Sequence, residues 1–139
     1  MRIPYTKLKS KDPLSGGASL RPYLAVNFLV GFKSVRTRAL LDTGADRTIL
    51  NRTWAEVFGL DWKKGIEFEA YGIANISKKI YIHRNIDIEI INFPNSRKTI
   101  DLAFIESPAV NVLLGRLGFF EHFRVTFDQP HNFFEITLP

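Results

Sequence analysis

The chain has 139 residues, 45% hydrophobic and 13% aromatic, so it can form one globular domain with its own core. It has no cysteine, which excludes disulfides and thiolate chemistry. Its 19 lysines and arginines outnumber 14 aspartates and glutamates but are scattered, which favours a solvated surface over a nucleic-acid site. We expect a cytoplasmic protein without a membrane partner, because we find neither a secretory signal nor an apolar run of membrane-spanning length.

The first segment, residues 1–20, has no clear periodicity and contains Pro4, Pro13, Gly16 and Gly17. Prolines and glycines interrupt regular structure, so we expect a polar tail that lies over the surface or is partly disordered. The predicted domain covers residues 21–139.

The signal then becomes that of β-strands. Apolar residues alternate from Leu24 to Val30, the segment Gly31–Ser34 predicts a turn, and a second strand runs from Val35 to Leu41. This strand delivers Asp42 to its end. Gly44 is expected to have a positive φ there, which would allow the chain to fold back sharply.

The remaining segments continue this pattern. Asn51 can cap a short helix that Gly59 ends. Further strands are predicted at 48–50, 66–71, 79–91, 99–105 and 110–114, a second short helix at 117–123, and a terminal hairpin at 124–127 and 133–138. Many short strands and one or two short helices indicate a closed, mostly β domain.

Two motifs carry a resemblance to a known family. Residues 40–46, Leu-Leu-Asp-Thr-Gly-Ala-Asp, resemble the active-site loop of retropepsin-like aspartic peptidases, which include the retroviral proteases and their cellular and bacterial relatives. Residues 108–116, Pro-Ala-Val-Asn-Val-Leu-Leu-Gly-Arg, are similar to the second half of the family pattern. Asp-Thr-Gly alone would be a weak signal, whereas two matches in the right order are a strong one. The resemblance implies a single closed β-barrel of the retropepsin type and aspartic endopeptidase activity.

The resemblance also assigns roles to individual residues. It implies catalytic roles for Asp42, Thr43 and Gly44, substrate contacts for Ala45, Asp46, Gly72 and Ile73, and a structural ion pair between Asp46 and Arg116. If that pair is buried, removing one partner should cost about 3–5 kcal/mol, because the other charge is left unpaired. Gly72 and Ile73 would lie at the tip of a flap that closes over substrate. An ordinary hairpin turn is the alternative for these two residues.

The chemistry of peptide hydrolysis predicts a homodimer. Two carboxylates about 3 Å apart share one proton, so that one can activate water while the other hydrogen-bonds the scissile carbonyl. The sequence contains Asp-Thr-Gly only once, so the second carboxylate must come from Asp42 of another copy across a twofold axis. In the family, Thr43 would brace the two loops. The substrate would be a peptide or protein bound as an extended strand.

Other functions remain as alternatives. Asp42 could be a turn aspartate with local hydrogen bonds, and the protein a catalytically inactive module that binds peptides or proteins. Nucleic-acid binding is a weaker idea. No cofactor is expected, and His83, His122 and His131 lack the spacing of metal ligands.

One departure from the retroviral pattern concerns the end of the chain. Retroviral chains end near the position of Phe127, and their last strand helps to form the dimer. Here a further strand is predicted at 133–138. It could pair with residues 125–127 of its own subunit and occupy the surface that a partner would use.

Overall fold

The computed structural model describes residues 1–71 and 77–139, which form twelve strands, one α-helix and two 3-10 helices. The mostly β composition predicted from the sequence is confirmed. The α-helix is α1 (Thr53–Val57), and the 3-10 helices are Trp62–Lys64 and Gln129–His131. The strands are β1 (Arg2–Pro4), β2 (Thr6–Lys9), β3 (Ala18–Arg21), β4 (Tyr23–Val30), β5 (Lys33–Leu41), β6 (Ile49–Asn51), β7 (Ile66–Tyr71), β8 (Ser77–Ile90), β9 (Lys98–Ile105), β10 (Val112–Leu114), β11 (Arg124–Asp128) and β12 (Phe133–Thr137).

Six strands close into a barrel. Their order is β4-β5-β10-β6-β9-β8, and β8 pairs again with β4 to complete the ring. The β10 strand pairs parallel with β5, and β6 pairs parallel with β9, while the other contacts around the ring are antiparallel. Closure leaves these strands without a free edge. The predicted closed β-barrel is therefore confirmed.

The long strand β8 pairs with two different strands along one of its edges. Its first half pairs with β7, and its second half pairs with β4. The register against β9 shifts between His83 and Ile86, where Asn85 has φ of 61°. Such a bulge bends a strand, and asparagine tolerates this left-handed conformation. The irregularity therefore lies where β8 passes from one partner to the other.

The barrel encloses an apolar core built by alternation along its strands. In β4, Leu24, Val26 and Phe28 are buried, whereas the residues between them are half-buried.

The helix α1 follows Asn51, whose side-chain oxygen accepts from the Thr53 N–H at 3.1 Å. Phe58, just beyond the helix, is buried against this core. The helix therefore has a packing role.

A second, three-stranded sheet joins the two ends of the chain in the order β1-β12-β11. The predicted pairing of the last strand with residues 125–127 of the same subunit is confirmed. On its other side, β12 pairs with β1, with Ile3 opposite Phe134. Phe134 and Ile136 are fully buried. The terminal sheet is thus part of the core.

Two predictions of local structure differ from the observed fold. Residues 1–20, predicted as a tail that lies over the surface or is partly disordered, contain β1, β2 and most of β3, and β2 and β3 form a hairpin. Strands this short cannot show a periodic pattern in the sequence. The helix predicted at 117–123 is wrong: residues 118–122 form turns, and Gly118 has φ of 93°, which an α-helix does not allow. The domain boundary at residue 21 stays a prediction.

Across 1–71 and 77–139, no helix is both long and apolar enough to cross a bilayer.

Candidate active site

The strand β5 carries Asp42 to the edge of the barrel. Leu40 and Leu41 pair with Leu113 and Leu114 of β10, in parallel register. The Asp42 N–H then donates to the carbonyl oxygen of Leu114 at 3.0 Å. Since Leu41 and Leu114 are buried, this register fixes where the strand ends and the loop begins.

The loop after β5 is a tight turn. The Ala45 N–H donates to the Asp42 carbonyl at 3.1 Å, and the Gly44 N–H donates to Oδ1 of the Asp42 side chain at 3.0 Å. Within the described residues, Oδ2 of Asp42 accepts no hydrogen bond. The half-buried carboxylate is therefore held by one oxygen, and the other oxygen is left for a further contact.

Gly44 was predicted to have a positive φ, and this prediction is wrong. Gly44 is not among the glycines with positive φ. A Cβ on Gly44 would instead lie 3.2 Å from Oδ1 of Asp42, closer than ordinary van der Waals contact. Glycine therefore leaves space for the carboxylate to approach the backbone.

A second segment, residues 114–118, is joined to the loop by backbone hydrogen bonds. The Arg116 N–H donates to the Ala45 carbonyl and the Leu117 N–H donates to the Asp46 carbonyl, both at 2.9 Å. The Thr48 N–H donates back to the Leu117 carbonyl at 2.8 Å. These bonds join the two motifs of the sequence into one structural unit.

Sequence reasoning did not predict the contact between Thr48 and Gly115 that fixes this unit. Thr48 is fully buried, and its Oγ1 accepts from the Gly115 N–H at 3.2 Å. A Cβ on Gly115 would lie 2.3 Å from the Arg47 carbonyl oxygen, so the two segments can meet this closely only at glycine. The available signal for Thr48 was its alternation with buried Leu50 in an apolar stretch.

Asp46 and Arg116 form an ion pair, as the resemblance implied. The pair lies at the surface, since the Asp46 side chain is 81% exposed and that of Arg116 is 61% exposed. The condition for a cost of 3–5 kcal/mol is therefore not met. Solvent-exposed pairs contribute about 0–1 kcal/mol, so this pair orients the loop more than it stabilises the fold.

A cleft of about 680 Å³ opens beside the loop. This volume lies in the range of about 300–1,000 Å³ that is usual for ligand sites. Its floor and walls come from the active-site loop, from β6, β7 and β8, and from the segment after β10. The lining residues are Gly44, Ala45, Asp46, Arg47, Ile49, Phe68, Ala70, Ile80, Arg116 and Leu117.

The hairpin of β7 and β8 borders this cleft. The Glu67 carboxylate lies 3.1 Å from Nζ of Lys79 across the hairpin, and its hydrogen bond and charge raise the pKa of Lys79. The predicted flap-tip residues Gly72 and Ile73 lie outside the described residues. Of the other predicted residues, Thr43 is exposed on the loop, and Ala45 and Asp46 line the cleft.

Comparison with known proteins supports the same fold. No protein-family model matches the sequence, and no curated protein is significantly similar to it in sequence. Among solved structures, the chain is similar to a retropepsin-like aspartic protease from Rickettsia conorii. The two share 20% sequence identity with a TM-score of 0.61, over 99% of this chain and 98% of the other.

The chain has a retropepsin-like fold. This follows from the closed barrel, the loop that carries Asp42 and the similarity to the solved structure. The resemblance inferred from residues 40–46 and 108–116 is therefore confirmed at the level of the fold.

Proposed function

We propose that this protein is an aspartic endopeptidase that works as a homodimer, with Asp42 of each subunit at the catalytic centre. The observation that carries the proposal is the Asp42 loop, whose carboxylate is held by the Gly44 N–H at 3.0 Å beside an open cleft. A retropepsin-like fold supports it.

The second subunit is required by the chemistry. A lone ionised carboxylate can accept a proton but cannot also donate one. Two carboxylates in contact share one proton, because both cannot ionise at such a distance. The exposed Thr43 and Gly44 of the loop are the groups that a partner loop would meet across a twofold axis.

In the proposed reaction, water attacks the carbonyl carbon of the scissile peptide bond. The ionised Asp42 accepts the proton that water loses, while the protonated Asp42 of the partner donates a hydrogen bond to the carbonyl oxygen. The C–N bond of the resulting tetrahedral intermediate then breaks, and the amine leaves with a proton from the pair. Water is consumed, and one carboxylic acid and one amine are formed.

The substrate would bind in extended form along the cleft, with backbone hydrogen bonds to neighbouring strands. Among the described strands, β7 pairs on one side, with β8, so its other edge can accept a further strand. The apolar lining from Ile49, Phe68 and Ile80 would bury substrate side chains.

The proposal is tested by incubating a diverse peptide pool with wild type and with Asp42→Asn, and reading the products by mass spectrometry. Asn keeps the size of the side chain but cannot exchange a proton. We expect cleavage by wild type and none by the variant, with circular dichroism showing that both are folded. Equal inactivity of both proteins under conditions in which a dimer is demonstrated would overturn the peptidase assignment and favour a peptide-binding role.

A further inference from the structure

The cleft beside Asp42 combines an apolar lining with an excess of positive charge. Ile49, Phe68, Ala70, Ile80 and Leu117 provide the apolar surface, while the charged lining residues are one aspartate and two arginines. Asp46 already forms an ion pair with Arg116, so these two charges offset each other. The charge that remains is that of Arg47.

Among the residues that the structure describes, Arg47 has no partner of opposite charge around the cleft. Within 1–71 and 77–139, its side chain makes neither an ion pair nor a hydrogen bond. The remaining segment, residues 72–76, reads Gly-Ile-Ala-Asn-Ile and contains no acidic residue that could pair with it. Arg47 is half-buried and lines the cleft, and its guanidinium carries five hydrogen-bond donors with no acidic partner among the described residues.

The backbone of Arg47 is fixed. It forms a parallel bridge with Leu117, and its carbonyl lies against Gly115. The neighbouring residues Asp46 and Thr48 are held by hydrogen bonds to the Leu117 backbone at 2.9 and 2.8 Å. The backbone that carries the guanidinium is therefore held in place on the cleft wall. This lowers the conformational entropy that is lost when the side chain binds a ligand.

We propose that Arg47 determines specificity, and that this cleft selects peptides with an acidic side chain, glutamate above all. This inference rests on the peptidase function proposed above. Glutamate has an apolar stem that suits the lining and a planar carboxylate that a guanidinium binds through two parallel hydrogen bonds. Glutamine has the same shape without the charge. A comparison of peptides with glutamate and with glutamine therefore measures the effect of that charge, with which Arg47 would pair.

The proposed dimer adds a prediction about position. A twofold axis through the two Asp42 side chains duplicates the cleft on both sides of the scissile bond. Acidic residues should therefore be preferred at one position before the cleaved bond and at the symmetry-related position after it.

The test uses an apolar peptide that wild type cleaves, with each position near the scissile bond changed in turn to Glu, Gln, Leu or Lys. We expect kcat/KM for Glu to exceed that for Gln by about tenfold at two symmetric positions, which corresponds to about 1.4 kcal/mol. Arg47→Gln should abolish this preference, and Arg47→Glu should reverse it in favour of Lys. Arg36→Gln, which changes an exposed arginine of β5 outside the cleft, is the matched control and should keep the preference.

Three results would overturn the inference. The first is an equal kcat/KM for Glu and Gln peptides with wild type. The second is a Glu preference that survives in Arg47→Gln. The third is a loss of dimer in that variant by light scattering, which would place Arg47 in the subunit interface instead.

A binding measurement separates this inference from the peptidase proposal. Labelled apolar peptides that differ only by Glu or Gln are titrated against Asp42→Asn, with and without Arg47→Gln, and followed by fluorescence anisotropy. Tighter binding of the Glu peptide that depends on Arg47 supports the inference even if wild type cleaves nothing. Equal binding of the two peptides contradicts it, whether or not cleavage occurs.

Discussion

The position of the Asp42 loop depends on Gly115. The carbonyl oxygens of Arg47 and Ala45 would lie 2.3 and 2.8 Å from a Cβ at this position. Both are backbone atoms, which cannot turn away as a flexible side chain can. The loop that carries Asp42 must therefore move if any other residue replaces this glycine.

We accordingly expect Gly115→Ala to lower the free energy of unfolding by about 1–3 kcal/mol, as other overpacked sites do. Displacement of the loop should also lower kcat/KM by about 100-fold, because catalytic geometry tolerates little movement. Chemical denaturation and peptide cleavage measure the two effects.

The control for this change is Gly31→Ala, at a turn with open space around the Cβ and φ of 58°. Its cost is confined to backbone strain of about 1–2 kcal/mol, with activity retained. Full activity of Gly115→Ala would show that the loop is not positioned by this contact.

At the scale of single residues, the sequence predicted the candidate catalytic motif but not the contacts that hold it in place. Asp42, Thr43 and Gly44 are contiguous, so their motif can be read directly. The bond between Thr48 and Gly115 joins residues 67 positions apart, and a single sequence does not show which distant segments meet. The ion pair of Asp46 and Arg116 came from the resemblance, while its exposure needed the structure.

Between strands β8 and β9, a charged contact makes stability depend on pH. Asp87 accepts hydrogen bonds from the Thr99 hydroxyl at 2.6 Å and from Nε of Arg97 at 2.9 Å. The Thr99 hydrogen bond, followed by that from Arg97, lowers the pKa of the Asp87 carboxyl. Both donors favour the ionised form in the folded state.

A lowered pKa in the folded state stabilises the protein above the pKa of the unfolded chain, and this contribution is lost as pH falls through the folded value. We therefore expect Asp87→Asn to be less stable than wild type near neutral pH. The difference should begin to shrink as pH falls below about 4, the ordinary pKa of an aspartate, and should disappear only below the lowered pKa of the folded protein. Urea denaturation across that range measures it, with Glu56→Gln on the exposed face of α1 as control. A difference that stays constant down to the lowest pH would contradict this explanation.

The terminal sheet offers a second prediction about an element. Phe134 and Phe127 lie opposite each other on β12 and β11, but Phe134 is fully buried and Phe127 is 39% exposed. Phe134→Ala should cost about 3–5 kcal/mol of unfolding free energy, as truncation of a buried aromatic side chain does. Phe127→Ala, measured in the same denaturation experiment, should cost clearly less. Similar costs for the two would show that β12 is not part of the core.

The length of a strand explains part of which elements could be predicted, although β6 and β10 have three residues each and were both predicted. Strands such as β4, β5, β7, β8 and β9 have six or more residues, so alternation is visible in their sequences. By contrast, β1 and β2 have three and four residues, and β1 pairs with the distant strand β12. The helix predicted at 117–123 does not form, and Gly118, near its expected start, has φ of 93°, outside the α-helical region.

In the molecule as a whole, the terminal sheet restricts how two copies can meet. The β12 strand pairs on both sides with strands of its own chain, β1 and β11. A partner therefore cannot insert a strand beside β12 without displacing one of them. The proposed dimer therefore has to form without a partner strand beside β12, and the exposed Thr43 and Gly44 of the Asp42 loop are the contact that we propose. From the sequence, the predicted extra strand was the feature that suggested this constraint.

The most direct test of the proposal mixes wild type with Asp42→Asn at fixed total concentration, after unfolding and refolding them together so that subunits exchange. If each catalytic centre needs Asp42 from two chains, only wild-type pairs are active, and an equal mixture should retain about one quarter of the wild-type activity. Mass-spectrometric rates over a series of mixing ratios should follow the square of the wild-type fraction. Activity that falls in direct proportion to the wild-type fraction, to about one half in the equal mixture, would contradict a shared catalytic centre.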